Sequence, residues 1–194
     1  MSVRWIGIVG LALCILAVAG GLARADVALF GSYYDNPARA AAQNDAEGVR
    51  QIVGGGNGNP NQVDERSRTA MHYAAMNGNL QIIAILIKAN AKLNPVDSLS
   101  DTPLHLAAEQ NQTEAGKLLL DAGADVDPQN KEGMTPLMIA ASHGSLQMVR
   151  ALLAKGASPT KTDYTGRDAL GWAREGHRPA VVEALSRAQG AKGS

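Results

Sequence analysis

The chain has 194 residues, of which 45% are hydrophobic but only 4% aromatic, and its 18 basic residues balance its 18 acidic ones. That balance excludes a general electrostatic pull towards nucleic acid or an anionic membrane surface. The scarcity of aromatics favours a core of Leu, Ala, Ile and Val on closely packed helices over a sandwich or an aromatic-rich enzyme core. A single cysteine, Cys14, excludes a disulfide framework.

Residues 1–25 read as a secretory signal peptide. Arg4 precedes an uncharged run from Trp5 to Ala23, and Ala23-Arg24-Ala25 places small residues two apart at its end. A positive start, an apolar middle and such a site form the three-part export pattern, with cleavage after Ala25. The alternative is an uncleaved anchor, since about 18 apolar residues can span a bilayer. Leu13 before Cys14 does not fit a lipoprotein. Cleavage would leave a cysteine-free chain with a slight acidic excess, which suits an oxidising compartment such as the bacterial periplasm. Residues 26–35 form a lead-in segment.

From residue 36 to residue 188 a single period organises the chain. Thr102-Pro103-Leu104-His105-Leu106-Ala107-Ala108 is echoed 33 residues upstream by Thr69-Ala70-Met71-His72-Tyr73-Ala74-Ala75 and 33 downstream by Thr135-Pro136-Leu137-Met138-Ile139-Ala140-Ala141. A period of this size marks stacked units of one supersecondary element. A first cap spans about 36–63, with helices near 37–44 and 46–53. Three full units span about 64–96, 97–129 and 130–162. Their inner helices lie near 70–76, 103–109 and 136–142, and their outer helices near 80–88, 113–121 and 146–154. The outer helices carry apolar residues at helical spacing, as in Leu146, Val149, Leu152 and Leu153. A last cap covers about 163–188, with a helix from Ala180 to Arg187, and residues 189–194 form a flexible tail.

Left-handed residues are required twice per unit. Gly78, Asn111 and Gly144 supply them between the helices, and Asn90, Gly123 and Gly156 after the outer helix. The glycine-rich run Gly54-Gly55-Gly56-Asn57-Gly58-Asn59-Pro60 occupies the same register, Asn57 matching Asn90, and no Lys-Ser or Lys-Thr follows it. It reads as a repeat turn and not as a phosphate loop.

The Thr-Pro-Leu-His-x-Ala-Ala motif, the Gly123-Ala124-Asp125-Val126 turn and the 33-residue period resemble the ankyrin repeat family over residues 36–188. The fold so implied is all-α, a solenoid of stacked helix-turn-helix units with projecting β-hairpin-like loops. The resemblance also implies that His72 and His105 hydrogen-bond to nearby loop backbone. Met138 and Gly171 stand at that position in later units, where the bond has no counterpart. Thr102 is placed to cap its helix, and Pro103 suits the first helical position.

No Gly-x-Ser-x-Gly elbow, Cys-His pair or metal-ligand spacing occurs, so neither a catalytic site nor a cofactor is expected. Glu132 and Asp163 read as solvated loop-tip carboxylates. The resemblance points instead to the loop tips and inner-helix ends that line a concave face. These positions are Arg66, Arg68, Met76 and Asn77 in the first full unit, and Leu99, Asp101, Glu109 and Gln110 in the second. Lys131, Met134 and His143 follow in the third, and Tyr164 and Arg167 in the last. Glu65, Ser98, Glu132, Ser142, Thr165 and Glu175 lie beside them. Arg66, Leu99, Met134 and Tyr164 form a candidate hot strip, because interfaces are enriched in Tyr, Met and Arg.

The resulting expectation is a monomeric, non-catalytic module that binds another protein and neither nucleic acid nor, after cleavage, membrane. Two other readings stay open. One is self-association through Phe30, Tyr33 and Tyr34, and the other is an enzyme with its site hidden in residues 27–35.

Overall fold

A computed structural model of the chain describes residues 36–55 and 58–192. Residues 1–35, on which the expected signal peptide and lead-in segment fall, and Asn57 lie outside the described residues. Ten helices are present among those described, and no strand. Inner helices α1 (Pro37–Ala42), α3 (Ala70–Asn77), α5 (Pro103–Glu109), α7 (Pro136–His143) and α9 (Ala169–Glu175) alternate with outer helices α2 (Ala46–Gly54), α4 (Leu80–Lys88), α6 (Thr113–Asp121), α8 (Leu146–Ala154) and α10 (Pro179–Lys192). Each inner helix packs on the next inner helix and each outer on the next outer, so the solenoid grows one pair at a time.

The composition of each layer explains the stacking. Ala74, Ala75, Ala107, Ala108, Ala140, Ala141 and Ala173 are fully buried on the inner helices, where small side chains let successive helices approach closely. Larger residues fill the space behind them: Ile82, Ile83 and Leu86 from α4, Leu119 from α6, Met148, Val149 and Leu152 from α8, and Leu185 from α10, all without exposure. Complete burial of one such side chain contributes about 1.5–3 kcal/mol. No single pair encloses these residues, since neighbouring units complete one continuous core.

Helix ends follow the sequence logic. Thr102 is the N-cap of α5 and Pro103 opens the helix, while Asp45 and Asn79 cap α2 and α4 by accepting the N–H groups of Gly48 and Ile82 at 2.9 and 3.0 Å. The left-handed turn between α5 and α6 is made by Asn111 at φ 54°. Two helices differ from expectation. α1 stops at Ala42, because Asn44 turns left-handed at φ 59°. α10 begins one residue earlier, at Pro179, and runs past Arg187 to Lys192, through most of the tail expected to be flexible. Gln189 accounts for that extension, donating both amide hydrogens at 2.9 Å, one to the Pro159 carbonyl and one to Asp168 Oδ2.

A periodic side-chain ladder ties consecutive units together behind the outer helices. Asn61 Oδ1, Asn94 Oδ1 and Asp127 Oδ2 accept the backbone N–H groups of Lys92, Asp125 and Ser158, each 31 residues onward, at 2.7, 3.0 and 2.9 Å.

Candidate binding groove

Each unit projects a loop, here called a finger, ahead of its inner helix. Its geometry comes from one residue five positions before the helix cap: Asp64, Asp97, Asn130 or Asp163. In every finger the Oδ1 atom of that residue accepts two backbone N–H groups, those two and four residues on, at 2.8–3.1 Å. Such a side chain reproduces a turn carbonyl and closes the loop locally. The tip residues Ser67, Ser100, Gly133 and Gly166 all have positive φ, between 60° and 82°. Adjacent fingers then join through one backbone bond each: Ser98 N–H to Arg66 C=O, Lys131 N–H to Leu99 C=O, and Tyr164 N–H to Glu132 C=O, at 3.0–3.2 Å.

The remaining polar atom of each anchor meets a different partner. Tyr73 Oη donates to Asp64 Oδ2 at 2.6 Å, Arg68 Nε to Asp97 Oδ2 at 2.9 Å and Trp172 Nε1 to Asp163 Oδ2 at 3.0 Å. Asn130 instead donates its amide to Asp101 Oδ1 at 2.9 Å. Asp163 is therefore not the solvated carboxylate expected from the sequence: it is 5% exposed and fully hydrogen-bonded. At Asp97, burial favours the neutral acid, but hydrogen bonds from Leu99 N–H, Arg68 and Asp101 N–H outweigh it and lower the pKa. Asp64 and Asp163 are lowered by the same balance.

The histidines lock each finger to the helix before it. His105 Nδ1 accepts the Thr102 N–H at 3.1 Å, and Nε2 lies 3.0 Å from the Met134 carbonyl of the next finger. An amide only donates and a carbonyl only accepts, so the proton must sit on Nε2 and the ring must be neutral. His72 repeats the arrangement with the Thr69 N–H and the Asp101 carbonyl, both at 3.0 Å. Both rings are fully buried. Burial pushes their pKa values below the ordinary 6.5, and the hydrogen bonds to the carbonyls oppose it only in part. In the third unit Met138 offers its sulfur to the Thr135 N–H at 3.5 Å but reaches no finger. The link to the last finger is taken over by Gln129 Nε2, which donates to Gly133 O and Thr162 O at 2.8 and 3.0 Å.

Between the second and third fingers and the inner helices lies an open groove of about 400 Å³. Of the residues proposed for binding it gathers Arg68, Leu99, Asp101, Glu109, Lys131, Met134 and His143. Several already have work inside the molecule. Arg68 forms an almost buried ion pair with Asp97, Asp101 holds the Asn130 amide, and Lys131 Nζ donates to the Ser98 carbonyl at 2.6 Å. Met134 is half-buried and packs on the core, so it is floor and not a wet tip. Leu99 is 56% exposed and remains available.

The other proposed residues do not line this groove. Arg66 and Gln110 are exposed at the first tip and at the end of α5, and Tyr164 stands 74% exposed on the last finger. Met76 lies with its sulfur 3.9 Å from Arg68 Nη1, and Asn77 donates to the Ala41 carbonyl at 3.4 Å. Arg167 stacks 4.4 Å from the Trp172 ring centre and pairs with Glu175. The hot strip of Arg66, Leu99, Met134 and Tyr164 is thus not gathered into one groove. The groove also contains Asn130, Ile139 and Trp172, which the sequence reading had not assigned to binding. A 33-residue recurrence of Asp or Asn before each cap was available in the sequence and points to the finger anchors.

Among the described residues no group of three or more His, Cys, Asp or Glu could hold a metal ion, and no helix is long and apolar enough to cross a membrane. The arrangement offers a rigid, partly apolar recess rimmed by charges, which suits recognition of a side chain on another molecule. No individual curated protein matches the chain. The family model for ankyrin repeats (3 copies) matches residues 38–130 and 117–193, which covers nearly all of the repeat array. Repeats of this kind are generally protein–protein interaction modules and typically non-catalytic. The chain belongs to the ankyrin repeat family.

Proposed function

We propose that this protein is exported to the periplasm and there binds another protein, as a non-catalytic monomer, through the groove beside its second and third fingers. The observation that carries the reading is the finger row itself. Neighbouring tips are hydrogen-bonded to one another and anchored by buried Asx side chains, so the groove is preorganised. A rigid site avoids much of the ordering cost of association. Leu99 supplies an exposed apolar contact on its rim, with Met134 and Ile139 below. The balanced charge argues against nucleic acid. Export rests on Arg4, the apolar run after it and the Ala23-Arg24-Ala25 site.

Affinity capture from the periplasmic fraction tests the binding function. The wild-type protein is expected to retain a defined protein that a Leu99→Ala, Glu132→Ala double variant of unchanged helicity does not. Equal retention by both would remove the groove from the mechanism. N-terminal sequencing of the exported protein tests localisation, with Asp26 expected as the first residue; a start at Met1 or Ser2 would point to an anchored protein.

A further inference from the structure

The groove carries a negative balance of charge. The Arg68–Asp97 pair cancels within the fold. Asp101 Oδ1 accepts the neutral Asn130 amide, and among the described residues no cation pairs with this carboxylate. Glu109 and Glu132 are exposed and line the groove, and among the described residues neither carboxylate has an ion pair or side-chain hydrogen bond. Lys131 alone opposes these three carboxylates, with its ammonium tied to the Ser98 carbonyl. His105 is neutral by the geometry of its two hydrogen bonds. The recess is therefore anionic above an apolar floor, although the chain as a whole has no net charge. Glu109 also ends α5, where the helix carbonyls add to the negative potential.

We propose that the groove selects an extended segment of the partner protein that presents an arginine or lysine beside a bulky apolar side chain. The cation is drawn to Glu109 and Glu132, whose pairing capacity is unused, and the apolar side chain covers Leu99 and Met134. An acidic segment is rejected, because like charges brought together across an interface are strongly unfavourable. This rests on the reading of the groove as a protein-binding site and adds the chemistry of what enters it.

The test uses two blocked pentapeptides, Gly-Leu-Arg-Leu-Gly and Gly-Leu-Glu-Leu-Gly, titrated into isotope-labelled full-length protein while backbone amide shifts are followed. The arginine peptide is expected to move the amides of Leu99, Lys131 and Glu132 at about fivefold lower concentration than the glutamate peptide, the scale of two exposed ion pairs. That preference should shrink in 0.5 M salt as screening tightens to a few ångströms (about 3 Å at 1 M). It should vanish in a Glu109→Gln, Glu132→Gln variant. Equal response to both peptides at these amides would overturn the charge selectivity and leave the groove as a binding site. A preference that survives in the double variant would overturn the assignment to these carboxylates. If neither peptide moves the groove amides, the selectivity falls together with the reading on which it rests.

Discussion

Replacing His105 probes the lock between one unit and the next. The ring is fully buried and satisfies two backbone groups, the Thr102 N–H and the Met134 carbonyl. In His105→Ala both lose their partner where water has little access, at about 1–3 kcal/mol each. The vacated ring volume adds a cavity cost of a further ~1 kcal/mol. The sum is about 5 kcal/mol, a large fraction of the stability of a domain this size, and corresponds to a fall in Tm of roughly 10–20 °C. His105→Met separates the two halves of the lock. Met138 already shows a methionine sulfur meeting the cap N–H at this register without reaching the next finger. The methionine variant should therefore keep the cap, lose the finger link and cost about half as much. Urea unfolding followed by far-UV circular dichroism measures both variants. A loss below ~1 kcal/mol for alanine, or equal losses for alanine and methionine, would refute the double role.

Other outcomes follow from the same geometry. Folded His72 and His105 hold protons less tightly than the ordinary value of 6.5, so the unfolded chain takes up protons first. Stability is then complete above pH 6.5 and falls as pH drops below it. The lowered carboxyls of Asp64, Asp97 and Asp163 stay charged until pH falls below 3.8 and cannot mimic this effect. Urea midpoints between pH 7.5 and 5 should decline, and less steeply in His105→Met; a flat wild-type profile would contradict the neutral lock. Gly133 and Gly166 are both tip residues at positive φ, but a Cβ at Gly133 would lie 2.7 Å from Tyr164 N, whereas at Gly166 it meets nothing. Alanine at Gly166 should cost about 1 kcal/mol and at Gly133 at least twice that, with faster hydrogen exchange at the Tyr164 amide only in the second. Asp163→Ala removes the acceptor of Thr165, Arg167 and Trp172. A loss of about 2–3 kcal/mol by thermal unfolding is expected; a loss under half a unit would mean that the last finger closes without its anchor.

The motif around Thr102 made the helix pattern legible because its signals are local. A capping hydroxyl, a proline at the first helical turn and a left-handed residue at the end each act within a few positions, and the outer helices α4, α6 and α8 fall where the apolar spacing puts them. What stayed hidden depends on pairs far apart in the chain. Asp163 looks like any surface acid until Trp172 and three finger groups converge on it. Arg68 and Lys131 look free, yet one is paired with Asp97 and the other bound to Ser98 across a finger boundary. Asn130 interrupts the aspartates at 64, 97 and 163, so the anchor register is a recurrence of side-chain shape and not of charge. For the proposed binding residues, the register pointed to elements that line the groove but did not distinguish side chains consumed by the fold, such as Arg68, from those left available, such as Glu109.

Site-directed photocrosslinking in living cells tests the groove most directly. A benzophenone amino acid replaces Leu99 on the second finger in one strain and the exposed Gln147 on outer helix α8 in another. The expected result is a single discrete protein adduct from position 99, absent from position 147 and lost when Glu132→Ala is added. Adducts from position 147 alone, or no adduct from position 99 under export conditions, would contradict a partner seated between the second and third fingers.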